Sequence, residues 1–146
     1  MADFRRLSDS MFASPQITAG EVAEAAALGI ALIVNNRPDG ESPDQPDGAE
    51  IEAAARAHGM DYVAIPVTAA GFSGPQVEAM NAALSGSRGP VLAYCRSGTR
   101  STLLWSLAEA AKGTDLDTIA DRAAQAGYDV SPVRPAMEML AGKAGG

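Results

Sequence analysis

Three uninterrupted apolar runs mark the chain: Ile30 to Val34, Tyr62 to Ile65 and Val91 to Tyr94. Runs of four or five such residues, rich in branched side chains and bounded by turn formers, predict strands covered on both faces. Between them the hydrophobic period is helical. Thr18-Ala19-Gly20-Glu21 has the spacing of a capping box and predicts a helix that Gly29 ends, and Ala49 to His58 predicts a second, stopped by Gly59. There His58 serves the end of the helix rather than chemistry. Ser73-Gly74-Pro75-Gln76 opens a third helix through Leu84, Ser101 to Lys112 follows the last apolar run, Thr114-Asp115-Leu116-Asp117 begins another, and Ser131-Pro132 opens a short final one. Phe4 to Leu7 and Met11 to Ser14 are candidate edge strands. Strands alternating with helices across short glycine-bearing turns predict an α/β fold of three layers, α/β/α, around a mostly parallel central sheet. Residues 38–48, with three prolines, two glycines and four acids, predict a solvated loop, and residues 142–146 a frayed tail.

Composition narrows the classes. The 146 residues fit one domain, 1–146, with 47% apolar and 20% charged residues, which suits a folded core. A net charge of −7 opposes nucleic acid and anionic membranes, because affinity for polyanions comes from basic side chains. The apolar stretch Ala25 to Val34 is too short to span a bilayer, and the N-terminus lacks a secretory pattern. One cysteine excludes an internal disulfide and suits a reducing compartment, so a cytoplasmic location is expected. With one histidine and one cysteine, no metal site and no cofactor are expected. Oligomeric state is left open.

The candidate chemistry lies directly after the third apolar run, in Cys95-Arg96-Ser97-Gly98-Thr99-Arg100. A strand-to-helix turn presents backbone N–H groups without intrahelical acceptors, and the helix dipole adds partial positive charge, so anions and thiolates are stabilised there. Flanking arginines act in the same direction. Gly98 permits a conformation in which the amides close around a sulfur or an oxyanion. In an α/β sheet this position is also where ligands bind, at the carboxyl ends of strands. Cys95 is therefore expected to lie exposed at a ring of inward-pointing amides. Ser97, Thr99 and Ser101 either donate hydroxyl hydrogen bonds to that centre or cap the following helix. Arg37, at the end of the first buried strand, either faces the same crevice or pairs with Asp39 or Glu41.

Tyr94 to Ser101, together with Asn36-Arg37-Pro38-Asp39-Gly40-Glu41 and Gly127-Tyr128-Asp129, resembles the phosphatase-like domain of the beta-lactamase hydrolase-like proteins over nearly the whole chain. The resemblance implies the fold of the cysteine-dependent dual-specificity phosphatases. It also implies Cys95 as nucleophile, Arg100 as oxyanion-binding arginine, and the amides of Arg96 through Arg100 as the anion cradle. Members of that family occur alone or fused to sulfur dioxygenase-type domains, so a partner of that type is expected. The acidic-loop motif receives no role from the resemblance.

Three departures from the phosphatase pattern stand out. Four residues rather than five separate Cys95 from Arg100, Tyr94 stands where those enzymes commonly have histidine, and Pro66 to Ser73 contains no acid to protonate a leaving group. Asp39, Glu41 or Asp129 could substitute if folded nearby. The short Cys-Arg-Ser-Gly loop is instead similar to rhodanese-type sulfurtransferase loops, in which the cysteine becomes a persulfide. Expulsion of sulfite from a donor such as thiosulfate needs no general acid. Sulfur transfer through a Cys95 persulfide is the favoured expectation, phosphoester hydrolysis through a phosphocysteine the alternative, and a weakly catalytic module that binds anions or a partner the third. All three imply a small anionic ligand or a protein partner.

Overall fold

The computed structural model describes residues 2–144, and it contains a five-stranded sheet in the order β1-β2-β5-β3-β4. The strands are β1 (Arg5–Ser8), β2 (Met11–Ser14), β3 (Leu32–Asn35), β4 (Asp61–Ala64) and β5 (Val91–Tyr94). Only β1 is antiparallel; β2, β5, β3 and β4 run parallel, with Ala13, Ala93, Val34 and Val63 in one row. The α/β expectation holds.

Alternate residues of the central strands feed two cores. Ile33, Leu92 and Tyr94 pack with α1 (Ala19–Ala27) and α2 (Gly48–Ala57) on one face. Leu32, Val34, Val91 and Ala93 pack on the other with α3 (Gly74–Gly86), α4 (Thr99–Ala111), α5 (Leu116–Gln125) and α6 (Arg134–Ala144), where Leu104, Trp105, Ile119 and Met137 are fully buried. Both predicted capping boxes form, at Thr18 and Ser73. Helices α1, α2, α4 and α5 end alike, on a left-handed glycine followed by a residue whose N–H reaches back five positions. This pattern satisfies carbonyls at the helix end and, at Ile30, Met60 and Tyr128, aims the next residue into the core.

The structure corrects several boundaries. β4 is a half-exposed edge strand rather than a buried one, and it begins at Asp61; pairing with β3 alone leaves its outer side to solvent. α4 starts at Thr99, two residues earlier than predicted, which brings Arg100 into its first turn. The last helix is not short: a 3-10 turn over Ser131–Val133 leads into the eleven residues of α6. Residues 142–144, expected to fray, belong to that helix, while 145 and 146 lie outside the described residues. No helix among the described residues is long and apolar enough to cross a membrane.

The helix after β3 covers one face and the helix after β5 the other, although the two strands are neighbours. Such a switch point opens a crevice at the carboxyl ends of the two strands. The segments 36–47 and 95–98 meet there.

Candidate active site

The cysteine loop is braced from β2. Cys95 N–H donates to Ser14 O at 3.3 Å, and Gln16 N–H to Arg96 O at 3.2 Å, extending the parallel pairing beyond the strand ends. Gly98 then turns with φ +92°, and a Cβ there would fall on the Tyr128 hydroxyl, so both conformation and space require glycine. The turn folds Gly98 N–H back onto Cys95 Sγ at 3.1 Å. The N–H groups of Arg96, Ser97, Arg100 and Ser101 find no acceptor among the described residues. Those of Arg100 and Ser101 are orphan donors of the α4 N-terminus and those of Arg96 and Ser97 belong to the loop before it, an arrangement that receives an anion.

Cys95 itself departs from expectation. Its side chain is fully buried rather than exposed, and one amide, not a ring of them, meets the sulfur. The physical reason is closure of the Gly98 turn beneath Tyr128. Ser97 Oγ accepts from Thr99 N–H and donates to Thr99 Oγ1, so these two hydroxyls organise the helix start and do not reach the sulfur. Ser101 Oγ is buried and has no hydrogen-bond partner among the described residues. Tyr94 turns to the opposite layer, where burial raises its phenol well above the ordinary value.

The acidic loop lies at the surface as its composition predicts, with Asp39, Glu41, Asp44 and Asp47 all exposed, but a buried arginine just before it fixes its course. Arg37, 5% exposed, donates from Nε to Glu41 at 3.0 Å, from Nη1 to Gln16 Oε1 at 3.0 Å and from Nη2 to Ser42 Oγ at 3.2 Å. Gln45 ties Glu41 N–H to Pro38 O. The loop is thereby fixed with Glu41 against Arg100, Oε2 on Nη1 and Oε1 on Nη2, both at 2.8 Å. Hydrogen bonds from Arg100, with a smaller contribution from Arg37, hold the Glu41 carboxyl down at about 2 despite some opposing burial. Glu41 in turn raises the Arg100 guanidinium, and Cys95 adds to that effect.

Asp39 and Asp129 do not join this group. Asp39 accepts the N–H of Gly48 at 2.8 Å at the start of α2, and Asp129 accepts from the N–H and hydroxyl of Ser131, which lower its carboxyl. Arg96 is exposed and, with Glu41, Thr68, Ala69 and Arg100, lines an open cleft of about 580 Å3. Among the described residues no three His, Cys, Asp or Glu side chains gather as metal ligands. Gln16, not singled out in the sequence, and Tyr128, which stood there only within the motif Gly127-Tyr128-Asp129 and without a role, complete the surroundings. A glycine helix stop followed by an aromatic residue was the available sign for Tyr128; Gln16 offered none.

A cysteine at the end of the central parallel strand, followed by orphan amides and an arginine in the first turn of the next helix, defines a cysteine-phosphatase-like α/β scaffold. The chain belongs to the family described as the phosphatase-like domain of beta-lactamase hydrolase-like proteins, whose sequence pattern matches residues 3–112. A beta-lactamase hydrolase-like protein of Agrobacterium fabrum is 35% identical over 108 residues, 74% of this chain and 25% of that one. One from Xylella fastidiosa Temecula1 is 35% identical over 107 residues, 73% and 25% respectively. The chain thus spans about a quarter of the length of these curated relatives. Among solved structures, a candidate phosphatase of Neisseria meningitidis has a TM-score of 0.83 at 36% identity, covering 94% of this chain and 98% of that one. P. aeruginosa TpbA in complex with pTyr shares the fold at 18% identity, with a TM-score of 0.67 over 98% and 90% of the two chains.

Proposed function

We propose that residues 1–146 act as one domain that transfers sulfane sulfur through a Cys95 persulfide. In this reading the Cys95 thiolate attacks the outer sulfur of a donor such as thiosulfate, forming a new S–S bond. The donor's own S–S bond breaks, and its electron pair leaves with sulfite. A thiophilic acceptor such as cyanide then takes the terminal sulfur and regenerates the thiolate. The N–H groups of Arg96, Ser97, Arg100 and Ser101 and the guanidinium of Arg100 stabilise the anionic donor and the charge on the departing group. Arg96 draws the anion into the cleft. The covered thiol needs the Gly98 turn to open toward the cleft, which shares Arg96 and Arg100 with the loop.

One observation carries this choice. Glu41, the carboxylate lining the cleft, is ion-paired and held at about 2, so at neutral pH it has no proton to give to a leaving group. General acid catalysis contributes about 10²- to 10⁴-fold where a leaving oxygen must be protonated, and sulfite leaves without that help. The second reading, phosphoester hydrolysis through a phosphocysteine, is favoured by the name of the 36% identical Neisseria protein. A reducing, cytoplasmic setting and a sulfur dioxygenase-type acceptor fit the first reading.

Thiosulfate with cyanide, and in parallel an aryl phosphate, separate the readings, with Cys95→Ser as control. Thiocyanate release that depends on Cys95 supports transfer. Phosphate release alone supports hydrolysis and overturns it, and neither product leaves the binding module.

A further inference from the structure

The N–H that meets the sulfur and the carbonyl that meets Tyr128 are two ends of one peptide group. Ser97 C=O accepts from the Tyr128 hydroxyl at 3.1 Å, and Gly98 N–H, the opposite end of that same plane, donates to Cys95 Sγ at 3.1 Å. In a planar trans peptide the two groups point in opposite directions, so fixing one aims the other. The plane needs fixing, because Gly98 follows it, and glycine permits the rotated arrangement that other residues resist. We propose that Tyr128 is a positioning residue: its hydroxyl pins the Ser97–Gly98 peptide and thereby directs the Gly98 N–H at the nucleophile.

Tyr128 is built to hold still. The Gly127 turn, φ +92°, ends α5, and the Tyr128 N–H returns to Ala123 O at 2.9 Å. Its ring is buried, and the Arg5 guanidinium lies over it 5.1 Å from the centroid, itself tied to Ala126 O at 3.2 Å. Burial raises the phenol above its ordinary value, so the hydroxyl remains a donor at neutral pH. The sulfur thus has Arg100 facing it from α4 and Tyr128 from the segment after α5, and only the second acts through a peptide plane.

The inference rests on Cys95 being the nucleophile, as in the proposed function, but its test requires neither sulfur transfer nor hydrolysis. Thiolate formation is followed by ultraviolet absorbance against pH in wild type, Tyr128→Phe and Arg5→Gln, with Cys95→Ser as blank. A hydrogen bond to a charged group is worth about a tenfold change in equilibrium, or about one pH unit. Tyr128→Phe keeps the ring and the fold, so its thiolate midpoint is expected about one unit higher, with Tm lowered by no more than a few degrees for the lost hydrogen bond. Arg5→Gln loosens the seat of the ring without removing the hydroxyl, and its midpoint is expected to rise by clearly less than that of Tyr128→Phe. Coincident midpoints for wild type and Tyr128→Phe overturn the proposal. An equal rise in Arg5→Gln also overturns it, because packing rather than the hydroxyl is then responsible. Should Tyr128→Phe fail to fold, Tyr128→Leu, which also lacks the hydroxyl, decides the matter: a midpoint raised by about one unit in the folded protein sustains the proposal, and an unchanged one overturns it.

Discussion

Glu41 holds Arg100 by the outer edge of its guanidinium. Its two oxygens take one hydrogen each from Nη1 and Nη2 at 2.8 Å, and Val67 O takes the other Nη1 hydrogen at 2.8 Å. A guanidinium has five hydrogens in a rigid fork. Three are engaged, and Nε–H with the remaining Nη2–H, the inner edge, is taken by neither Glu41 nor Val67. Glu41 therefore orients Arg100 without consuming the edge that would bind an anion.

Glu41→Gln replaces a charge-assisted pair by a neutral one and should release the orientation of Arg100. Charge-assisted bonds are roughly twice as strong as neutral ones. We expect kcat/KM with thiosulfate to fall by about tenfold, a loss of about 1.4 kcal/mol in transition-state binding. Steady-state kinetics check this; an unchanged value removes Glu41 from the site.

The same pair makes stability depend on pH. The folded-state pKa of Glu41, about 2, lies below its ordinary 4.5, so the unfolded chain binds more protons between those values. Stability from this group is therefore complete above about 4.5 and is lost as pH falls toward about 2. The difference in Tm between wild type and Glu41→Gln should shrink on acidification through that window. A constant difference contradicts the pairing.

Arg37→Lys should behave like a milder Glu41 variant. A lysine cannot serve Gln16, Glu41 and Ser42 together with one ammonium in the fork geometry that Arg37 uses. Stability should drop by about 1–3 kcal/mol, and kcat/KM should fall with it. Denaturant unfolding and thiosulfate kinetics measure the two effects.

Gly48→Ala tests the packing beneath the acidic loop. A Cβ there would stand 3.0 Å from Asn35 Nδ2, 3.0 Å from the Tyr62 hydroxyl and 3.3 Å from Asp39 Oδ1. Overpacking of this kind costs about 1–3 kcal/mol, so Tm should fall even though alanine favours helices. A rise in Tm would mean that the polar cluster can yield.

The sheet was legible because Ile33, Val34, Leu92 and Ala93 are buried on both faces, and such strands announce themselves as unbroken apolar runs. Edge strand β4 was misread for the converse reason: Tyr62 and Val63 look like core residues, yet pairing on one side leaves them half covered. Cys95, Arg96 and Arg100 could be placed because the strand-to-helix turn is local. The Glu41–Arg100 pair spans 59 positions, and the role of Glu41 is set by the buried Arg37 that anchors its loop, so composition predicted the exposure of that loop but not the pairing within it. Tyr128 is equally remote from Ser97, 31 positions away, and only the fold brings it over the cysteine.

The most direct test of the central claim is the intact mass of the protein after exposure to thiosulfate, with the site mapped by peptide fragmentation. Wild type is expected to gain one sulfur atom on Cys95, removed by cyanide as thiocyanate, and Cys95→Ser is expected to gain nothing. A wild-type mass unchanged by thiosulfate, together with a phosphoryl adduct on Cys95 after an aryl phosphate, would contradict the account.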